Sequence, residues 1–332
     1  MVPEIDSGVG LLEILGWAVG VVGVVALLGL AGIVLWTRSI AAKAERMVPL
    51  TGERVEVLGN RLRYVATGEG PPILFIHGLG AQLHQFTGPL FPRMNGFRLV
   101  AVDRPGAGYS VRARGASGRP TEQARVLAAF IDKLRLGRVL VVGHSFGGAV
   151  ALALAANHPD KVAGLALIAP HTHHTGIIPP AFAPIYVPSA LKRWVLARTI
   201  WVPMSLRYAD AALAHIFGPQ KPPPDYMTAG GGWLGLRPAH IEGSSVDVTD
   251  SLGDHPALEK KYASIKMPVG ILFGTADRLL DPQEHGTAMT AHIPGVEIEL
   301  LDGVGHMPQF SAPDRTADFI RRVAVRAFGR RA

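Results

Sequence analysis

Cysteine is absent from the 332 residues. That excludes disulfides, thiolate nucleophiles and Cys-based zinc sites, and it fits a reducing compartment. Charge is scarce as well: Asp, Glu, Lys and Arg make up 18% of the chain, against 48% hydrophobic residues, and mean hydropathy is +0.25. The net charge is +7, yet the basic residues form no Lys/Arg block and do not interleave with aromatics. A nucleic-acid footprint needs such a patch, so no nucleic-acid partner is expected, and the basic bias fits anionic lipid better. Internal repeats and low-complexity tracts are missing too.

The longest absence is local. From Ile14 to Trp36 the chain has 23 residues without a charge, "ILGWAVGVVGVVALLGLAGIVLW". As a helix this run spans about 34 Å, the thickness of a hydrocarbon core. Trp17 and Trp36 stand near its ends, where interfacial aromatics belong. A cleaved signal peptide would want a basic start and a shorter apolar core, whereas this chain starts with Glu4, Asp6 and Glu13. The run Ala41-Ala42-Lys43-Ala44 is the one feature that suits a cleavage site. A tail over 1–13, a transmembrane helix over 14–36 and a polar linker over 37–51 are therefore expected. Arg38, Lys43 and Arg46 follow the helix and no Lys or Arg precedes it. The positive-inside rule then places the body in the cytoplasm, on a single-pass inner-membrane anchor. Gly16-x-x-x-Gly20 has the spacing of a helix-pairing face, a spacing common by chance in so glycine-rich a helix.

Beyond the linker the pattern changes period. "RVEVLG" and "RLRYVATG" read as two strands joined by a Gly59-Asn60 turn. "PPILFIHGLG", "FRLVAVDRPGAGYS", "RVLVVGHS" and "VAGLALIAP" are short, continuously apolar strands, the mark of a sheet covered on both faces. Helices alternate with them: "PTEQARVLAAFIDKL" opens on a Thr121 cap pattern, and another runs from Phe146 to Asn157. The strand rhythm returns at "PVGILFGTAD" and "VEIELLDGVGH", and a helix over Pro313–Phe328 closes the chain. The implied fold is α/β, a mostly parallel eight-stranded sheet flanked by helices. Its core takes residues 52–170 and 257–332. Residues 171–256, rich in Pro and Gly and holding Trp194, Trp201 and Trp233, are too long for a loop and read as a mostly helical cap insertion over the sheet's C-terminal edge.

One pentapeptide at that edge carries chemistry. Gly143-His144-Ser145-Phe146-Gly147 lies between a buried strand and an apolar helix, the context of a nucleophile elbow. A serine hydroxyl needs a base, and the partners should follow as acid, then histidine. Asp277, just past a strand, and His306, in the loop after the last strand, fit those roles, with Asp281 the alternative acid. The oxyanion needs two donors: the backbone N–H of Phe146 and that of Leu79 in the loop His77-Gly78-Leu79-Gly80. His77 is expected to brace that loop, His144 to point away from the pocket, and Asp103 and Arg104 to support the site loops.

The motifs HGLG, DRPGAGYS, GHSFGG, GTADRLLDP and GVGHMPQF stand in the order of the α/β-hydrolase fold family, and from about Arg54 onward the chain resembles that family. The resemblance implies a Ser-Asp-His triad and a hydrolase that needs no cofactor. Serine at the elbow departs from the aspartate nucleophile of epoxide hydrolases and haloalkane dehalogenases. The chain also lacks the Ser-Gly-Pro-Gly loop of meta-cleavage C–C hydrolases and the HGGG loop of hormone-sensitive-lipase relatives.

Other motifs point nowhere firmer. "HTHHTG" from His171 to Gly176 lacks the carboxylates or Cys of a metal site, and "GAGYS" lacks the third glycine of a dinucleotide fingerprint. The apolar "IIPPAFAPIYVP" is expected to line part of an acyl pocket. The expected activity is hydrolysis of a lipophilic carboxylic ester, such as a monoacylglycerol or medium-chain ester, through an acyl-enzyme. Alternatives are the same triad acting on a C–C bond, a lactone or in perhydrolysis, and a non-catalytic membrane-tethered binding protein. The oligomeric state is not legible.

Overall fold

A computed structural model describes residues 10–173, 182–251 and 253–329. Glu4, Asp6, His174 and the "IIPPA" half of the apolar cap motif lie outside these residues. Eight strands form one sheet: β1 Glu53–Val57, β2 Asn60–Thr67, β3 Pro72–Ile76, β4 Arg98–Val102, β5 Val139–His144, β6 Val162–Ile168, β7 Val269–Gly274 and β8 Glu297–Leu301. Their order is β1-β2-β4-β3-β5-β6-β7-β8. The first hairpin pairs antiparallel and joins β4 antiparallel, while every pairing from β4 through β8 is parallel.

Period-two alternation divides the core. Leu74 and Ile76 of β3 join a cluster that contains Phe130 and Val150, whereas Ile73 and Phe75 join one that contains Phe86 and Phe319. The helices Pro120–Lys133 and Phe146–Asn157 supply Phe130 and Val150, and Pro313–Phe328 supplies Phe319 on the opposite face. With helices on both sides, all residues of β5 and β6 are buried, which is why these strands read as unbroken apolar runs.

Three expectations are corrected. The hairpin turn is Leu58-Gly59, one residue earlier than read, because Val57 pairs with Asn60. Both turn residues have positive φ (49° and 75°), as a two-residue primed turn requires, and Asn60 instead donates from its side chain to Val57 O and Leu58 O. Thr121 does not cap its helix. The N-cap is Arg119, and the Asp254 carboxylate accepts from Thr121 N (2.9 Å) and Thr121 Oγ1 (2.6 Å). The segment expected as a linker over 37–51 is largely helical: one helix runs unbroken from Leu11 to Met47. Thr37, Ile40 and Ala44 recur on one face of it and are buried, and Ile40 packs with Ala197, Trp201, Val202, Leu236 and Ile241. Earlier in that helix the apolar side chains are exposed, Val22 at 68% and Leu27 at 67%. Among the described residues it is the one helix long and apolar enough to cross a membrane.

Between β6 and β7 the described chain is helical at Ala190–Arg198, Trp201–Phe217, Pro238–Ser251 and His255–Glu259. Buried ion pairs tie this segment to the sheet edge. Asp247 meets Arg104 Nη1 at 2.6 Å and also pairs with Arg112.

Candidate active site

Strand β5 ends at His144, and the next residue holds a conformation few side chains adopt. Ser145 has φ 52° and ψ −122° and is the N-cap of Phe146–Asn157. Such a backbone is strained and persists only where its surroundings fix it. Here they do: Ser145 N donates to Ile168 O (3.1 Å), and Ser145 O accepts from Gly148 N (2.8 Å) and His171 N (3.0 Å). The flanking glycines are steric necessities. A Cβ on Gly143 would lie 2.6 Å from Gly147 O, and one on Gly147 would strike Ile76 O and His77 O. The serine is thus raised at the C-terminal edge of the sheet, with the N-terminal turn of an apolar helix behind it.

The glycine loop after β3 lies directly against it. A Cβ on Gly78 would be 3.2 Å from Ser145 Cβ. His77 is fully buried and braces this loop. Its Nδ1 donates to Gly78 O (2.8 Å) and its Nε2 accepts from Arg104 N (2.9 Å). Burial and then the Arg104 charge hold His77 well below the usual imidazole range, so both bonds are those of a neutral ring. Arg104 also donates to His77 O and Gly78 O (2.9 Å each) and lies over the Phe146 ring. Asp103 accepts from Leu83 N and Tyr109 N (2.8 Å each). Both residues support the loops as expected.

His306 and Asp277 meet on the same edge. His306 Nδ1 lies 2.7 Å from Asp277 Oδ2 with both side chains buried, and Asp277 Oδ1 accepts from Leu279 N (2.8 Å) and Leu280 N (3.1 Å). Burial works against the carboxylate, but the His306 charge and these hydrogen bonds outweigh it and keep Asp277 below its ordinary range. Asp281, the alternative acid, is spent elsewhere: it caps the short helix Pro282–His285 by accepting from Gln283 N (2.8 Å).

A relay invisible to sequence reading joins these parts. Gln85 Oε1 accepts from Gly78 N (3.0 Å), Gln85 Nε2 lies 2.8 Å from His144 Nδ1, and His144 Nε2 lies 2.9 Å from His306 O. His144, immediately before the serine, does not simply turn away; it reaches the His306 backbone. Burial, then the neighbouring His306, lowers it to about 3, so it is a neutral ring that donates to His306 O and accepts from Gln85.

His171 and His173, after β6, face other histidines. His171 has its ring 5.3 Å from that of His285, and His173 lies 5.1 Å from His292 and edge-on to Tyr262. Among the described residues no cluster of His, Asp or Glu is arranged to hold a metal ion.

The family pattern of the alpha/beta hydrolase fold matches residues 71–313, and the chain belongs to that family and is a hydrolase. A Mycobacterium bovis protein of uncharacterized function is 27% identical over 293 residues, 83% of this chain and 82% of its own. A 2-hydroxy-6-oxononadienedioate/2-hydroxy-6-oxononatrienedioate hydrolase of Burkholderia vietnamiensis is 26% identical over 275 residues, 79% of this chain and 91% of its own. Among solved structures, a membrane phospholipase A described as a bacterial virulence factor superposes with a TM-score of 0.66 at 24% identity, covering 92% of this chain and 98% of that one.

Proposed function

We propose that the chain is a serine hydrolase of lipophilic carboxylic esters, acting through an acyl-enzyme and held at a membrane by its N-terminal helix. Ser145 attacks the acyl carbon. His306 Nε2 takes the hydroxyl proton and passes it to the leaving alcohol, and Asp277 fixes the tautomer that leaves Nε2 free. The N–H groups of Phe146 and Leu79 receive the oxyanion, helped by the positive end of the helix Phe146–Asn157. Water, activated by the same histidine, then releases the acid. The observation that carries this reading is the buried 2.7 Å His306–Asp277 contact on the same edge as a serine in a strained, positive-φ turn.

The apolar helix, with Arg38, Lys43 and Arg46 at its C-terminal end, supports an inner-membrane anchor with the hydrolase domain in the cytoplasm. Residues 171–256 serve as the cap over the site. A lipophilic substrate follows from that location and from the apolar cap. The Burkholderia relative favours a second reading, hydrolysis of a C–C bond. A fluorophosphonate probe tests the nucleophile: the native chain should label and Ser145→Ala should not. Equal labelling of the two refutes the reading, and so does failure of the native protein to label. Turnover of p-nitrophenyl esters of graded chain length, set against a vinylogous diketone, separates the two bonds.

A further inference from the structure

The helices Ala190–Arg198 and Trp201–Phe217 present apolar side chains outward, contrary to what a soluble cap needs. Leu191 is 72% exposed, Trp194 50% and Tyr208 54%, and Val195, Ile200 and Met204 are exposed with them. Their positions, 191/194/195 and 200/204/208, recur at three- and four-residue spacing, so each helix carries one apolar stripe on its solvent side. The other sides of these helices are already occupied: Ala197, Trp201 and Val202 are buried against Ile40 of the long N-terminal helix. The outward stripes therefore belong to a surface continuous with the place where that helix meets the folded domain.

Charge on this surface is mainly positive, with Asp210 exposed on Trp201–Phe217 and Glu242 paired with Arg198 at 3.0 Å. The sequence has no Asp or Glu between Asp160 and Asp210, while Lys192, Arg193, Arg198 and Arg207 lie on these helices. Arg198 lies over the Trp194 ring at 4.6 Å and Arg207 over that of Tyr208 at 5.7 Å. A basic and aromatic rim around exposed aliphatic side chains is the composition of a helix lying in a bilayer interface. The basic Arg38, Lys43 and Arg46 stand in the last turns of the adjoining long helix.

We propose that the helices Ala190–Arg198 and Trp201–Phe217 form a second membrane contact, docking on an anionic bilayer surface beside the anchor. The proposal rests on the anchor reading above and not on the bond hydrolysed. The absence of cysteine makes it directly testable in the full chain reconstituted into phosphatidylglycerol-containing vesicles, since every introduced cysteine is unique. Leu191→Cys and Met204→Cys each receive an environment-sensitive fluorophore. Val24→Cys in the long helix reports the anchor, and Leu300→Cys, exposed on the edge strand β8, serves as the control. Labels at 191 and 204 should be quenched by lipid nitroxides about 5–10 Å deep, while the label at 300 should not. Lys192→Gln together with Arg207→Gln should lower the docked-to-undocked ratio about fivefold per charge removed. If the cap labels behave like that at 300 while that at 24 is quenched, the docking face is refuted and the anchor stands. If the label at 24 also escapes quenching, both fail. Cap labels shielded from aqueous iodide but not quenched by lipid, and losing that shielding on dilution of the protein, would mean that a second copy covers the face, which also overturns the proposal.

Discussion

Replacing Asp277 by Asn tests the acid assignment through its hydrogen bonds. In the native chain Oδ1 accepts from two backbone amides, Leu279 N and Leu280 N, while Oδ2 faces His306 Nδ1. An asparagine amide keeps its oxygen on those two donors, so its Nδ2 must point at His306. Nδ2 donates and cannot accept, which forces Nδ1 of the imidazole to be the acceptor and moves the ring proton to Nε2. A protonated Nε2 cannot take the proton of Ser145. The same change in a serine-protease triad lowers turnover about 10⁴-fold, equivalent to about 5.4 kcal/mol of barrier. Asp277→Asn is nearly isosteric and retains both backbone bonds, so the fold should persist with a thermal midpoint close to native. The assay is kcat/KM for a p-nitrophenyl ester at pH 7.5, with fluorophosphonate labelling rate as a second readout. The opposite control is Asp281→Asn, whose amide oxygen can still cap the short helix by accepting from Gln283 N, and which should stay within a few-fold of native activity. The tautomer argument is refuted if Asp277→Asn keeps activity within tenfold of native, or if Asp281→Asn falls as far.

Three further outcomes follow from the same contacts. Asp247→Ala leaves Arg104 and Arg112 buried without their partner and should cost about 3–5 kcal/mol, read from the urea midpoint; an unchanged midpoint would mean that solvent reaches those guanidiniums. Gly147→Ala places a Cβ 2.6 Å from His77 O and closer still to Ile76 O, so it should abolish fluorophosphonate labelling and destabilise by about 1–3 kcal/mol; a labelled, native-like protein would refute the packing at the elbow. Burial, above all, lowers His144 from 6.5 to about 3 and His240 to about 4, so the folded state binds fewer protons than the unfolded chain below pH 6.5. Their contribution to stability is complete above pH 6.5 and declines as pH falls, by about 2 kcal/mol per histidine between pH 6.5 and pH 5. Asp277, held below its ordinary range, adds its own loss only below pH 3.8. Urea titrations at pH 7 and pH 5 measure the difference, and equal midpoints would refute it.

What the sequence displayed was local and periodic. The helices Phe146–Asn157 and Pro313–Phe328 have the bounds their residues suggest, and β5 and β6 read as apolar runs because helices cover both faces. Ser145, Asp277 and His306 stand out because each ends an apolar strand in a loop of unusual composition. The hairpin was misplaced by one residue since Gly-Asn and Leu-Gly both offer a positive-φ position, and only the Val57–Asn60 pairing decides between them. The helix extending to Met47 was legible in principle: Thr37, Ile40 and Ala44 recur at helical spacing, but the end of the apolar run masked that period. Gln85 and Asp247 were not legible, because their partners stand 59 and 143 residues away and nothing local marks a polar side chain that will be buried.

Those two unread residues explain how distant loops hold one geometry. Arg104 reaches both the helix Pro238–Ser251, through Asp247, and the glycine loop, through His77 O and Gly78 O. Gln85 takes up Gly78 N and faces His144, which in turn holds the His306 backbone. Gly78 therefore has its carbonyl fixed from one side and its amide from the other, which leaves the next amide, that of Leu79, little freedom. Donors for an oxyanion act without reorganisation only when they are held in this way before charge develops. A substitution at Gln85 that touches neither Ser145 nor Asp277 would loosen the glycine loop and His306 together, and its cost would fall on turnover more than on substrate binding.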